Sequence, residues 1–160
     1  MQVRLKNPAK LLPDALPLLM QLNESARRAL PTPARELSLV RASQINGCSY
    51  CLDMHTKEAK QAGETDERLN LVAAWRDADC FNEGERAALA LAEAATRLSD
   101  HADAVPEELW AEVSRHFDEP ALAGLVLNVA LVNLWNRVNV TLRASPGVWV
   151  ASPDREGPAA

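Results

Sequence analysis

The stretch Glu36-Leu-Ser-Leu-Val-Arg-Ala-Ser-Gln-Ile-Asn-Gly-Cys48-Ser-Tyr-Cys51-Leu-Asp-Met-His55 holds two of the chain's three cysteines, a histidine and an upstream glutamate. Their spacings allow all four to converge on one pocket. If residues 48–62 are helical, each side chain turns by about 100° from the last, so Cys48, Cys51 and His55 share a face. Leu52, Ala59 and Ala62 fall near that face and should bury it, whereas Asp53, Lys57, Lys60 and Gln61 should meet water. Asn46-Gly47 is a turn signal just before, and Gly63 is a natural left-handed cap at the far end. The CxxC pair therefore opens a helix, and the rest of the chain reads as helical scaffold for it.

A helix N-terminus carries unpaired N–H groups and partial positive charge, which stabilise a thiolate against a thiol. His55, four residues after Cys51, lies one turn away and can accept or return a proton. The helix end favours Cys48 as the thiolate and the histidine favours Cys51, so the residues alone leave both open. Glu36, in a preceding helix, shares a face with Leu39, Val40 and Ser43, where a packed carboxylate can act as a base.

Written as Glu-x11-Cys-x2-Cys-x3-His, the pattern resembles the signature of the AhpD-like alkylhydroperoxidases, a branch of the carboxymuconolactone decarboxylase family. The resemblance runs from about Arg35 to Arg143, through Trp75-Arg76-Asp77, Glu85-Arg86-Ala87-Ala88-Leu89 and Asn133-Leu-Trp-Asn-Arg137. It implies that Cys51 attacks a hydroperoxide, that Cys48 resolves the product to a disulfide, and that Glu36 and His55 relay protons. By the same resemblance no metal, haem or flavin is needed. A dithiol reductant of thioredoxin-like or lipoyl type, or a peroxiredoxin partner, would complete the cycle, and the subunits would form trimers or hexamers. Tyr50 departs from members that carry a histidine between the cysteines.

The composition suits one all-α domain. At 160 residues, 48% apolar and 24% charged, with Ala and Leu abundant and few aromatics, the chain can bury one core and favours helices over strands. Residues 1–144 are expected to form that domain, with its core at about 35–143, and 145–160 a C-terminal extension. The net charge of −5, without a basic cluster, leaves no footprint for nucleic acid. Pro8, Pro13, Asp14 and Pro17 interrupt any apolar run near the start, so the expected location is the cytoplasm. There a close cysteine pair serves redox or metal chemistry rather than a structural framework.

In order, residues 10–30 read as a helix with a break near Pro17. Thr32 is the expected cap, with Pro33 at the first position, of a helix to Ile45. After the CxxC helix, Thr65 starts one to Trp75 or Asp77, and Asn82 with Glu85 makes a capping box for one from Glu83 to about Ser99. Pro106 and His116 frame a short helix. Asp118 caps the last, Glu119 to about Arg143, which has no charge before Arg137 and is apolar nearly all round. The uncharged run is shorter than the roughly twenty residues needed to span a bilayer, and Asn128, Asn133 and Asn136 would be costly in lipid. It is therefore expected to be the buried central helix, covered in part by a second copy of the chain, making a homo-oligomer.

Other residues have plainer readings. Cys80 is a small buried apolar residue, Trp75, Trp110 and Trp135 are core, and His101 and His116 are solvent-facing or helix-end residues. A zinc site would take Cys48, Cys51 and His55 with Glu36 or Cys80, although structural zinc usually joins two separated ligand pairs. Leu52 stands where haem attachment requires histidine. Two further functions remain beside the peroxidase: a lactone-decarboxylating lyase, and a non-enzymatic redox or zinc module.

Overall fold

Helix α3 (Thr32–Ile45) is the one the others pack on, touching α4, α6 and α8. The computed structural model describes residues 2–148, and those residues form eight α-helices and no strand. A single-turn helix α1 (Pro8–Leu11) and a longer α2 (Ala15–Ala29) lead in. After α3 come α4 (Ser49–Gln61), α5 (Asp66–Leu71) with a tighter turn over Val72–Ala74, α6 (Glu83–Thr96), α7 (Glu107–His116) and α8 (Glu119–Leu142). The expected all-helical class is what the described residues adopt. Residues 149–160, most of the expected extension, lie outside the described residues.

Two apolar clusters share α3. Leu30, Ala34, Leu91, Val113, Leu125 and Val129 fill the space among α3, α6, α7 and α8. Leu37, Val40, Ala59, Leu69, Val72, Trp75, Phe81 and Leu89 fill the space toward α4 and α5. Leu37, Leu89 and Leu125 are wholly buried, each contributing about 1.5–3 kcal/mol by leaving water. The central helix is thus α3, with nine of its fourteen residues buried, and not α8 as its apolar composition suggested. The outer rows of α8 remain exposed at Val126, Leu127, Leu134 and Val140, whereas α3 is enclosed from several sides despite carrying Arg35, Glu36, Ser38 and Ser43. The whole of α8 is long and apolar enough to cross a membrane, yet half of its most apolar stretch packs inside the domain.

Local chemistry sets the helix ends. The first break falls at Leu12–Asp14, beside Pro13, while Pro17 sits in the first turn of α2, where its missing N–H costs nothing. Pro31 is the N-cap of α3, and the Thr32 hydroxyl accepts from Arg35 at 3.4 Å instead of capping. Pro106 similarly precedes α7 as its N-cap. The Asn82–Glu85 capping box forms with both bonds at 2.9 Å, and α6 ends at Thr96, three residues earlier than expected. Trp110 is more than a third exposed and Ala62 is also exposed, both against expectation. Gly124 lets α8 cross α2 closely, since a Cβ there would lie 3.0 Å from the Ala29 Cβ and 3.1 Å from the Ala26 carbonyl oxygen.

Glu93 of α6 ties three segments together. Its Oε1 accepts from Arg41 Nε at 2.6 Å and from Trp75 Nε1 at 3.1 Å, and its Oε2 pairs with Arg76. Burial pushes this carboxyl up, but the hydrogen bonds from Arg76, Arg41 and Trp75 outweigh it and hold the acid below its ordinary value.

A CxxC turn seated on an asparagine ladder

The chain reverses between α3 and α4 in three residues. Gly47, at φ 63°, takes the left-handed position after α3, its N–H donating to the Gln44 carbonyl at 3.2 Å and that of Cys48 to the Ser43 carbonyl at 3.1 Å. Cys48 is both the end of that motif and the N-cap of α4, its sulfur accepting from the Cys51 N–H at 3.3 Å. The two sulfurs lie within disulfide-bonding distance, with Cα atoms 5.3 Å apart. The expected helix start is therefore at the cysteines, and both are buried, Cys51 completely.

Three asparagines of α8, Asn133, Asn136 and Asn139, seat this turn. Asn46 donates to Asn133 Oδ1 at 2.9 Å and to Asn136 Oδ1 at 2.8 Å. Asn136 in turn donates to the Ser43 hydroxyl at 3.2 Å, and Asn139 to the Cys51 sulfur at 3.5 Å. Near the other end, Asn128 donates to the Arg35 carbonyl at 3.3 Å, next to Glu36. The four α8 asparagines are each at least nine-tenths buried and Asn46 is half-buried, so these bonds satisfy amides that would otherwise be costly to desolvate. Sequence reasoning used Asn128, Asn133 and Asn136 only as an argument against lipid and passed over Asn139. The available signal was a row of amides on a helix otherwise rich in Leu and Val.

The remaining two expected site residues face different partners. His55 is buried, and its Nδ1 lies 3.1 Å from Glu58 Oε2. Glu36 is 1% exposed; its Oε1 accepts from Arg35 Nε at 2.9 Å and lies 3.9 Å from Arg27, while its Oε2 has no hydrogen-bond partner. Among the described residues no hydrogen bond joins Glu36 to His55. The carboxylate next to the imidazole is Glu58, which comes from the same face of α4 three residues on.

A pocket of about 300 Å³ opens beside Cys48, lined by Cys48, Ser49, Tyr50, Asn139, Arg143 and Pro146 among others. Cys51, His55 and Glu36 are not in its wall, so the four residues expected to share one pocket divide, with Cys48 lining it and the other three buried outside it. Burial, then the Glu58 and Asp53 carboxylates, push the Tyr50 phenol above its usual value, which keeps it a neutral donor rather than a base. Cys80 is a half-buried free thiol whose carbonyl accepts from Arg68. Among the described residues no three or more His, Cys, Asp or Glu side chains gather closely enough to hold a metal.

Known proteins share both sequence and fold with this chain. The family model described as "Carboxymuconolactone decarboxylase family" matches residues 13–94. The uncharacterised protein YdfG of Bacillus subtilis (strain 168) is 35% identical over 131 residues, 81% of this chain and 88% of that protein. Among solved structures, ATU0492 from Agrobacterium tumefaciens, a protein of unknown function associated by name with the antioxidant defence protein AhpD, superposes with a TM-score of 0.83 at 30% identity. That match covers 92% of this chain and all of the other. An uncharacterised peroxidase-related protein from Ralstonia eutropha JMP134 with an AhpD core shares the fold at a TM-score of 0.74 and 21% identity, covering 88% of this chain and 75% of that one. With an all-helical fold built around a buried CxxC turn and a matched stretch spanning half its length, the chain belongs to the carboxymuconolactone decarboxylase family, in its AhpD-like branch.

Proposed function

We propose that the protein is a thiol-dependent peroxidase and disulfide reductase that reduces hydroperoxides through a Cys48–Cys51 dithiol–disulfide cycle. The observation that carries this reading is the cysteine pair at disulfide distance on a helix N-terminus, with an asparagine N–H on one sulfur. In the reduced protein the Cys51 thiolate attacks the distal peroxide oxygen, the O–O bond breaks, and the alkoxide leaves with a proton. The resulting Cys51 sulfenic acid condenses with Cys48, releasing water and forming the disulfide. His55, held by Glu58, and Glu36, with one free oxygen, are the proton-handling groups.

The reductive half returns two electrons by thiol–disulfide exchange through a mixed disulfide. A dithiol of thioredoxin-like or lipoyl type, or a peroxiredoxin partner, supplies them, in the reducing cytoplasm. A second copy of the chain covers the outer face of α8, where Val126, Leu127, Leu134 and Val140 stand exposed.

Steady-state consumption of cumene hydroperoxide in the presence of a dithiol tests the activity. Turnover by the parent, lost in Cys48→Ser and in Cys51→Ser, supports the cycle. Lactone decarboxylation that survives both substitutions, without peroxide turnover, would favour the lyase, in which the cysteine pair has no step.

A further inference from the structure

We propose that the pocket beside Cys48 is the port for the reductant, and that it selects a small dithiol bearing an anionic group held by Arg143. The inference rests on the dithiol–disulfide cycle above and names the chemical class of its electron donor.

Three observations carry it. First, only one of the two cysteines borders the pocket: Cys48, itself 2% exposed, is in its wall, whereas Cys51 is wholly buried against Asn139 and is not. An incoming thiolate therefore meets Cys48 Sγ. Second, its volume of about 300 Å³ is at the small end for ligand sites and suits one small molecule or the end of an arm. Third, Arg143 is the single charged side chain in the lining, on a chain of net charge −5, and its guanidinium has no hydrogen-bond or ion-pair partner among the described residues.

Arg143 is also held in place by its backbone. It takes the left-handed position that closes α8, φ 56° and ψ 46°, a conformation that costs a residue with a Cβ about 1–2 kcal/mol and is usually filled by glycine. Its N–H donates to the Val140 carbonyl at 3.1 Å, and the Ala144 N–H to the Asn139 carbonyl at 2.9 Å, so the backbone from which the exposed Arg143 side chain projects is fixed one turn beyond the asparagine that touches Cys51. Asp53 is engaged by Lys57 at 2.8 Å and by the Gly147 N–H at 3.0 Å. Tyr50 and Ser49 add neutral hydroxyls.

The exchange balances as follows. The donor's thiolate attacks Cys48 Sγ, forming a donor–Cys48 disulfide while the Cys48–Cys51 bond breaks. The electron pair passes to Cys51 Sγ, which leaves as a thiolate accepting from Asn139 Nδ2. A second thiolate of the donor then attacks the donor sulfur of the mixed disulfide and releases Cys48. The donor ends as a disulfide and the protein has gained two electrons.

The test uses full-length Cys51→Ser/Cys80→Ser protein, which leaves Cys48 as its one thiol, and follows mixed-disulfide formation by mass spectrometry. Three probes of similar size differ in charge: dithiodipropionate, hydroxyethyl disulfide and cystamine. Arg143→Gln should slow the anionic probe about tenfold and leave the neutral one within about twofold, with Arg143→Lys recovering most of the loss. Equal effects on the anionic and neutral probes, or none on the anionic one, would overturn the proposal. So would a Cys48 inert to all three probes, and if the parent still lost two thiols to a hydroperoxide, the peroxidase reading would stand without it. Charge selection at Cys48 in a protein whose parent thiols ignore hydroperoxide would support the anionic-thiol port and sink the peroxidase.

Discussion

Asn139 donates its side-chain amide N–H to the Cys51 sulfur at 3.5 Å, so α8 touches the cysteine pair directly. A donor aimed at sulfur favours the thiolate, whether Cys51 attacks peroxide or leaves during reduction. A hydrogen bond to a charged group is worth about 1.5–3 kcal/mol, so Asn139→Ala should slow alkylation of Cys51 at neutral pH by about tenfold. The pH dependence of iodoacetamide alkylation, measured in a Cys48→Ser background, checks this.

Glu36 is a buried acid with one oxygen clamped by Arg35 and the other free. If the free oxygen handles a proton, Glu36→Gln should lower peroxide turnover by about 10²–10⁴-fold while the far-ultraviolet circular dichroism stays unchanged. Retained turnover would make Glu36 a partner of Arg35 and nothing more.

The crossing of α2 and α8 depends on Gly124. Adding a methyl group drives it against the Ala29 Cβ and the Ala26 carbonyl oxygen, contacts that only a backbone shift relieves. Overpacking costs typically about 1–3 kcal/mol, partly offset by alanine's better helix propensity of about 1 kcal/mol. Gly124→Ala should therefore lower Tm by a few degrees in thermal unfolding, and a raised Tm would contradict the crossing.

Glu93 sets an acid limit on stability. Its folded-state value is depressed, so its contribution is fully present above the unfolded glutamate value of about 4.3 and is lost as pH falls through the lower folded value. The stability of the parent to urea should thus fall in acid more steeply than that of Glu93→Gln. At neutral pH Glu93→Gln should be the less stable protein, because Arg41 and Arg76 lose their carboxylate.

The helices were legible because their signals are local. Asn82 and Glu85 cap each other, and Gly47 and Gly63 take the left-handed turns that the spacing of α3 and α4 demands. Cys48 at the start of α4 followed from the same turn. What could not be read was partnership across the fold. A carboxylate twelve residues before a cysteine could serve His55 or Arg35, and packing chose Arg35, leaving His55 to Glu58 on its own helix. The centre of the domain was misplaced for a similar reason. Apolar composition pointed to α8, but α3 has helices on several sides and buries even its charges, whereas α8 keeps one apolar face outside.

The central claim is that Cys51 and Cys48 pass from thiols to a disulfide when a peroxide arrives. The direct measurement is a count of free thiols before and after one equivalent of cumene hydroperoxide, on the reduced parent, Cys48→Ser and Cys51→Ser. Rapid loss of two thiols in the parent, with a dimedone-trapped sulfenic acid on Cys51 in Cys48→Ser, is the expected result. A trap on Cys48 in Cys51→Ser alone would reverse the two roles, and survival of every thiol over minutes would contradict the peroxidase altogether.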